Sequence, residues 1–475
     1  MAYTEFYIDG ANGSASNING GSSSGAALFS KTNGNWNSTT KVFTVGAGDT
    51  LTSDMVGHFA CVCNDGTTTG AYFARVTAID NSAKTVTLSS TATIGTAPTT
   101  STTGRTIKVG GCWAGMSGST LFPFTLSSSA ANLTDASNNA PRFNFKGTYN
   151  NSTSSGITSS FGGTSNKNGP FIEGFSSFPG DGGVSIFNYT GASNVATVNI
   201  AAQGQYSFSG IEFKNQSTSA TTSTCFGMYF QTSASSAKFH RCKFTNTVAQ
   251  GMYFSVGSQV ILTLCEFANC SNGVTSNGGG QLLASNAAHV QLLGCIFRNS
   301  SGNTGTIVII DSEILLVSNC IFCDNGTPCI KVANGVNVLI DSSVFYSNSG
   351  GCILRDSAST SYSSQVTAAR CIFDSNSYVV NLTALTNNRS PYLRDCGFYN
   401  NTAKYDSNSS SAVELDCFDF TDLPLVDAVN GDYRTRSTMG RNRVDGTIAN
   451  SSKSLTTKRR LDIGIGPSNP FYRGQ

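Results

Sequence analysis

Charged residues are scarce in this chain of 475 residues, where Asp, Glu, Lys and Arg make up 12% against about a quarter in typical domains. Amphipathic helices need charged outer faces, and no segment keeps a 3.6-residue apolar period, so helix is not expected as a main ingredient. No apolar run of about 18 residues exists, which argues against membrane insertion. Residues 1–6 lack a basic segment followed by an apolar one. No signal peptide is therefore predicted, and synthesis in a cytoplasm is expected.

Residues that carry chemistry are also few. The three histidines, His58, His240 and His289, are scattered, so their spacing assembles no Ser-His-Asp arrangement. The glycine-rich loop 278–280 lacks the Lys-Ser/Thr and helix that phosphate binding requires. Cys320 and Cys323 have the spacing of half a zinc site without a second pair, which favours core packing. No cofactor and no metal are predicted.

What the sequence has instead is glycine, 50 in all, with Ser, Thr and Asn throughout and β-branched and aromatic residues between them. This mixture is typical of many short strands joined by tight turns. A motif that ends in Phe followed by Asn or Asp recurs in eight copies between residues 205 and 402, and neighbouring phenylalanines are 23 to 31 residues apart. Six copies read Cys-x-Phe, and the other two have Ile211 or Ser343 in place of Cys. The phenylalanines of the motif are Phe213, Phe244, Phe267, Phe297, Phe322, Phe345, Phe373 and Phe398.

Each interval is long enough for one coil of about three short strands, with neighbouring coils pairing in parallel at about 4.8 Å. Alternation along the strand places Cys and Phe inside and the residue between them outside. The Asn or Asp beyond Phe is expected at a turn, where a left-handed backbone is tolerated and side-chain amides can bond from coil to coil. The 15 cysteines, an odd count, are expected to be mostly reduced and buried.

These Cys-x-Phe-x-x-Asn coils resemble the repeats of the pectate-lyase-like β-helix superfamily, including its phage virion spike and decoration proteins. The segment 425–434 with 461–464 resembles the closing segment of such proteins, and residues 6–10 resemble their opening. The resemblance implies an all-β, right-handed parallel β-helix, a single-stranded solenoid forming a rigid rod. Function is not implied, because the superfamily holds lyases, hydrolases, adhesins and viral spikes alike.

Four segments follow from this interpretation. Residues 1–34 are predicted as an N-terminal cap or strand segment, 35–104 as a small β-rich domain, 105–420 as the β-helix, and 421–475 as a C-terminal cap and basic tail. Strands are predicted at 41–45, 57–63, 71–76 and 85–88, with a turn at 80–82, and the coils are predicted to begin near residues 106–110.

Catalytic residues are not predicted with any specificity. Paired carboxylates serve polysaccharide hydrolases, and a few acidic residues of neighbouring coils are weak candidates for such a pair. They are Asp311, Glu313, Asp324, Asp341, Asp374 and Asp395. Turn or solvated residues are the favoured interpretation of all six, so the sequence leans towards a protein that is not an enzyme.

Two features point outward. The stripe, defined as Ile296, Ile321, Val344 and Ile372, is the apolar column expected on the outside of the Cys-x-Phe strands. It is predicted as a self-association face of a homotrimer, or else as a surface covered by a long loop of the same chain. The second feature is the C-terminus, with nine basic and three acidic residues from 431 to 475. Its candidates for docking onto a partner are Lys458, Arg459, Arg460, Phe471, Tyr472 and Arg473.

The function that fits best is a bacteriophage virion surface protein: a tail spike or fibre that binds a receptor, or a capsid decoration protein. Other virion proteins and a host surface glycan are the predicted partners, nucleic acid is not, and the virion surface is the predicted location. Two alternatives remain: a polysaccharide lyase or glycoside hydrolase on the same fold, and a bacterial surface adhesin.

Overall fold

The computed structural model describes residues 3–13, 19–64, 72–90, 98–113, 140–152, 157–159, 170–201, 204–218, 224–231, 236–254, 259–270, 280–285, 289–301, 305–310, 314–333, 336–355, 365–382, 390–405 and 412–435. In these ranges the chain is all-β, with two single 3-10 turns at Ser53–Met55 and Ala428–Asn430. No helix there is long and apolar enough to cross a membrane. The chain divides into two compact units, residues 1–213 with 235–237 and residues 214–234 with 238–475.

A closed antiparallel barrel is the first part of unit 1, with strand order β2-β3-β6-β5-β4-β7. Its strands are β2 (Ala27–Asn37), β3 (Val42–Thr44), β4 (Phe59–Asn64), β5 (Tyr72–Asp80), β6 (Thr85–Leu88) and β7 (Thr102–Gly110). Buried side chains that include Trp36, Phe43 and Val62 fill it. The four predicted strands and the turn at Asp80 are confirmed, because Asp80 accepts hydrogen bonds from the backbone of Ser82 and Ala83.

The barrel is larger than the predicted segment 35–104. Strand β2 contains three Asn and one Gly among its 11 residues, and carries no strong strand signal. Residues 106–110, predicted to open the coils, lie in β7 and pair with β2 and β4 instead. The prediction was wrong because a strand signal does not identify the partner strand.

Parallel strands form the rest of unit 1. One sheet runs β1-β8-β11-β14, a second contains β9 and β12, and a third contains β10 and β13. Their bounds are β1 Tyr3–Asp9, β8 Ala140–Lys146, β9 Thr148–Asn151, β10 Ile157–Ser159, β11 Phe171–Phe175, β12 Ser185–Tyr189, β13 Val198–Ile200 and β14 Gln205–Ser209. Strand β1 thus pairs with β8 across the whole barrel insertion. The ring of Phe6 on β1 stacks against Phe59 of the barrel and Phe143 of β8.

Unit 2 is a parallel β-helix of three sheets. Sheet I contains β17 (Ser236–His240), β20 (Gln259–Thr263), β23 (His289–Leu293), β26 (Ile314–Ser318), β29 (Asn337–Asp341), β32 (Gln365–Ala369), β35 (Tyr392–Arg394) and β38 (Val413–Leu415). Sheet II contains β18 (Lys243–Thr247), β21 (Glu266–Ala268), β24 (Ile296–Arg298), β27 (Ile321–Cys323), β30 (Val344–Tyr346), β33 (Ile372–Asp374), β36 (Gly397–Tyr399) and β39 (Phe418–Asp419). Two strands, β15 (Ile211–Asn215) and β17, span the division between the units.

Sheet III contains β16 (Met228–Phe230), β19 (Met252–Phe254), β22 (Leu282–Ser285), β25 (Ile307–Ile310), β28 (Ile330–Ala333), β31 (Ile353–Arg355), β34 (Tyr378–Leu382) and β37 (Ala403–Tyr405). Each coil contributes one strand to each sheet, as the repeat predicted. An antiparallel pair, β40 (Leu425–Asp427) and β41 (Asp432–Thr435), follows the last coil. It is called the C-terminal hairpin below.

Left-handed residues make the corners of each coil. In one coil Asn319 (φ 54°) turns the chain from sheet I into sheet II, and Asp324 (φ 54°) ends the sheet II strand. Asn, Asp and Gly tolerate this conformation best, because a short polar side chain or a missing Cβ lowers its cost. The predicted turn role of the Asn or Asp after Phe is confirmed, although Ser347 and Ser375 also occupy that position.

Identical side chains stack inside unit 2. The phenylalanine rings from Phe244 to Phe398 lie with successive centroids 4.6 to 5.7 Å apart and planes within 16° of parallel. The cysteines that precede them are fully buried, and none of the 15 forms a disulfide. The predicted inward placement of the motif's Cys and Phe side chains, stacked from coil to coil, is confirmed.

A ladder of buried asparagines runs parallel to the rings and is called the Asn ladder. The Nδ2 of Asn325 donates to Oδ1 of Asn348 (2.9 Å), Asn348 donates to Asn376 (2.8 Å), and Asn376 donates to Asn401 (3.0 Å). The same Oδ1 atoms also accept a backbone N–H from the preceding asparagine. These buried amides are therefore hydrogen-bonded, as low-dielectric surroundings require.

Candidate functional site

Two of the predicted carboxylates, Asp341 and Asp395, lie at the corner between sheets I and II and are engaged by arginines. Arg370 donates through Nε to Oδ1 of Asp341 (2.8 Å) and through Nη2 to Oδ2. This hydrogen bond and the charge of Asp341 raise the pKa of Arg370. Asp395 lies 3.4 Å from Nε of Arg394. The Arg370–Asp341 ion pair joins two neighbouring coils, whereas Arg394 and Asp395 are consecutive residues of one coil.

Asp324 and Asp374 lie at the opposite end of the sheet II strands, near Tyr346. Asp374 is 1% exposed, and its Oδ1 accepts a hydrogen bond from Oγ of Ser375 (2.8 Å). No described residue donates to its Oδ2. Burial raises the pKa of Asp374, and burial together with the charges of Asp374 and Asp324 raises the pKa of Tyr346.

The four weak candidates that the structure describes therefore lie in two separate places. Asp341 and Asp395 lie at one corner, and Asp324 and Asp374 at another, while Asp311 and Glu313 lie outside the described residues. Nor do His, Cys, Asp and Glu side chains of the described ranges gather in groups of three suited to a metal ion.

The stripe is covered. Ile321 (2% exposed), Val344 (0%) and Ile372 (0%) form one buried cluster with Leu425 and Tyr433 of the C-terminal hairpin, and Ile296 packs against its edge. A segment of the same chain thus lies over the stripe, which is the alternative that the sequence left open. The prediction of an exposed face at these residues was wrong, because periodicity separates inside from outside without showing what packs on the outside.

The C-terminal candidates for docking, from Lys458 to Arg473, lie outside the described residues. Cys320 and Cys329 are fully buried and Cys323 is 2% exposed. Burial raises the pKa of Cys323 to about 11. These thiols pack as small hydrophobic groups, as the sequence indicated.

Sequence reasoning missed one polar cluster, which lies in unit 1 on strands β1, β8 and β11 and is called the Glu5–Glu173 cluster. Arg142 donates through Nη1 to Oε1 of Glu5 (3.3 Å) and through Nη2 to Oε2 of Glu173. Asn144 donates to Oε2 of Glu5 (2.6 Å), and its own Oδ1, fully buried, has no partner among the described residues. Two carboxylates thus share one guanidinium.

Aromatic rings line the Glu5–Glu173 cluster. The guanidinium of Arg142 lies 5.2 Å from the ring centroid of Phe171. Tyr7 stands in register with Asn144 on the neighbouring strand, and burial followed by the charge of Glu5 raises its pKa. No sequence signal brings these residues together, because Glu5 and Arg142 are 137 positions apart and the intervening barrel hides their pairing.

Residues 226–403 match the family profile described as "Right handed beta helix region". This match confirms the predicted fold: the chain is an all-β, right-handed parallel β-helix with a small antiparallel β unit at its N-terminus. The match bears on the fold and not on a family within it. No curated protein sequence matches the chain.

Several solved structures are similar to this chain. The tailspike protein gp49 from Pseudomonas phage LKA1 is 13% identical, with 81% of this chain and 67% of that chain covered and a TM-score of 0.30. The catalytic unit of a thermostable GH87 α-1,3-glucanase from Streptomyces thermodiastaticus strain HF3-3 is 10% identical, with 83% of this chain and 87% of that chain covered and a TM-score of 0.32. The Gp54 tailspike of Acinetobacter baumannii bacteriophage AP22, in complex with A. baumannii capsular saccharide, is 10% identical, with 83% of this chain and 64% of that chain covered and a TM-score of 0.27. At such identities and scores they carry no conclusion about activity.

Proposed function

We propose that this chain is a surface protein of a bacteriophage virion. It is either a receptor-binding protein of the tail spike or fibre type, or a protein that decorates the capsid. The observation that carries the proposal is the unbroken interior of unit 2, where phenylalanine rings and amides stack from coil to coil. Such a core suits a part that must hold its form outside the cell. Other virion proteins and a host surface glycan are the partners proposed with it.

The stacked interior supports this proposal through its energetics. An aromatic pair contributes about 0.5–1.5 kcal/mol beyond its buried area, and a net hydrogen bond contributes about 1 kcal/mol. In unit 2 the ring contacts recur from Phe244 to Phe398 and the amide hydrogen bonds from Asn325 to Asn401, so opening one of these coils removes contacts from both of its neighbours. Solenoids of this kind gain cooperativity from the interfaces between repeats.

The placement of the acidic side chains in unit 2 agrees with a structural part. Asp341 and Asp395 lie beside arginines, and Asp374 is buried below the hairpin. Catalytic pairs need carboxylates on both sides of a bound sugar ring. The arginines beside Asp341 and Asp395 and the burial of Asp374 support a structural role for these three residues.

The proposal is tested on virions and on glycans. Mass spectrometry of virions, purified from cells that produce the phage encoding this chain, is expected to find it at many copies per particle. Absence from such virions contradicts the proposal. A panel of bacterial capsular and lipopolysaccharide glycans then separates the two variants of the proposal, since binding without cleavage is expected of a receptor-binding spike and no binding is expected of a capsid decoration.

One observation favours a second candidate function, glycan cleavage. The Glu5–Glu173 cluster places two carboxylates on one face of a parallel sheet, beside Tyr7 and Phe171. Acid–base catalysis of glycoside cleavage uses two carboxylates, with aromatic rings suited to hold a sugar ring.

Released reducing ends and unsaturated uronates measure this second function on the same glycan panel. If unit 1 cleaves glycan, Glu173→Gln is expected to lower the rate by about 100-fold or more, with glycan binding retained. The exposed Asp422 in unit 2 offers a matched control, Asp422→Asn, which is expected to keep the full rate. Glycan cleavage by the Glu5–Glu173 cluster is ruled out if Glu173→Gln and Asp422→Asn cleave at equal rates, or if the unaltered protein cleaves no glycan of the panel.

A further inference from the structure

The outer face of sheet I, from β20 to β38, is an exposed apolar surface in unit 2. Its most exposed large side chains are Leu339 (49%), Leu415 (49%), Tyr392 (44%) and Leu293 (39%). Strand register places Leu339 and Tyr392 in one column and Leu293 and Leu415 in the next. Thr367 separates Leu339 from Tyr392, and small or charged residues separate Leu293 from Leu415, so large exposed apolar side chains alternate with polar groups on a face suited to a protein contact.

Charge is nearly absent from this face. The side chains at its outward positions alternate between apolar groups and small or uncharged polar groups, apart from two charged residues and one histidine. They are Gln259, Ile261, Thr263, His289, Gln291, Leu293, Ile314, Leu316, Ser318, Asn337, Leu339, Asp341, Gln365, Thr367, Ala369, Tyr392, Arg394, Val413 and Leu415. Asp341 and Arg394 are the charged ones, and each has a partner of opposite sign in Arg370 or Asp395.

We propose that the outer face of sheet I is the contact between copies of this chain. This inference moves the self-association face from the stripe on sheet II to sheet I. The two surfaces differ in whether a segment of the same chain covers them. The stripe is already covered by Leu425 and Tyr433 of the same chain, while Leu339 and Tyr392 remain about half exposed.

The area of the face meets the requirement of a stable contact. Seven strands contribute to it, and at a spacing of about 4.8 Å they extend about 30 Å. Five of these strands have five residues, which at about 3.3 Å each give a width of about 16 Å, while β35 and β38 have three residues and are narrower. Each copy thus offers about 500 Å², and a pair buries about 1,000 Å², which is the lower limit for a specific interface.

A second copy is the partner that fits this face for two reasons. The side chains recur at the strand spacing, so the ridges and gaps of a second sheet I share the same repeat and can interdigitate along the full length. The two charged residues are already neutralised within each copy, so two such faces meet without leaving an unpaired charge in the contact. A charged glycan or nucleic acid lacks both properties.

Light scattering coupled to size-exclusion chromatography tests this contact. The unaltered protein is expected to have the mass of two or three chains, and Leu339→Lys and Leu293→Lys are each expected to reduce it to one chain. Val429→Lys is the matched control, because Val429 on the C-terminal hairpin is 83% exposed and lies off sheet I. A monomeric unaltered protein, or lysine variants that keep the oligomeric mass, overturn the proposal.

A second measurement needs no variant and so does not depend on how the lysine variants fold. Nitration of Tyr392, mapped by mass spectrometry, is expected to slow at least several-fold as the protein concentration rises from monomer to oligomer. Tyr253, which is partly exposed on sheet III, is the internal reference and is expected to react at a constant rate. Equal behaviour of the two tyrosines contradicts the contact on sheet I. Loss of glycan binding is not a readout here, so the proposed function is tested separately.

Discussion

The ring of Tyr433 packs against the ring of Tyr346, with centroids 5.9 Å apart, and closes the C-terminal hairpin over the outer face of sheet II. Tyr433 is 8% exposed and Leu425, on the other strand of the hairpin, is 2% exposed. The turn between them ends at Gly431 (φ 85°), where a residue with a Cβ is strained. Two buried side chains thus hold a short hairpin on three buried branched residues of the stripe.

Removing either anchor of the hairpin is expected to release it. Tyr433→Ala and Leu425→Ala each remove a buried side chain. Each is expected to make docking of the hairpin onto sheet II less favourable by about 2–4 kcal/mol. Hydrogen–deuterium exchange is expected to speed up at 425–435 and to stay slow at the sheet II amides. Val429→Ala, at an exposed position of the same hairpin, is the control. Unchanged exchange in the two anchor variants contradicts this account.

The Asn ladder makes a second prediction, concerning the stability of unit 2. Replacing Asn348 by Ala removes the acceptor of Asn325 Nδ2 and of the Asn325 backbone N–H. Buried donors without partners cost about 1–3 kcal/mol each, so Asn348→Ala is expected to destabilise by at least about 2 kcal/mol in urea denaturation. Asn337→Ala is the control, because Asn337 is exposed on sheet I, and it is expected to change stability by about 0.5 kcal/mol or less. Equal effects of the two substitutions are the contrary result.

The repeat is the part of this structure that the sequence predicts best. Cys320 and Phe322 are both buried and Asn325 lies in the Asn ladder, because stacking of like side chains requires the same residue at the same place in every coil. Tertiary partners leave no such periodic trace. The cover that Tyr433 provides over Ile321 and the pairing of Glu5 with Arg142 depend on segments that are far apart in the chain. For the same reason the exposed apolar face on sheet I was not predicted.

Reactivity of the thiols is a third prediction. Fourteen of the 15 cysteines are buried, and Cys417 alone is partly exposed. The hydrogen bond with Cys396, together with burial, raises the pKa of Cys417, which lowers its thiolate fraction. Titration with a thiol reagent is expected to find at most one slowly reacting group in the native protein and 15 after denaturation. Several fast groups in the native state contradict this, and Cys417→Ser is expected to remove the slow group.

The buried carboxyl of Asp374 makes stability depend on pH. Its pKa is raised above the ordinary value of 3.8 by burial, so between the two pKa values the folded chain binds more protons than the unfolded chain. Stability therefore falls as pH rises through this interval and stays lower above it. Asp374→Asn carries no titratable proton and is expected to remove this fall, so the unaltered protein loses stability relative to the variant as the pH rises above 3.8. Urea denaturation at a series of pH values measures the difference, with Asp422→Asn as the exposed control. If the free energies of unfolding of Asp374→Asn and the unaltered protein differ by the same amount at every pH, the buried carboxyl is not the source of that difference.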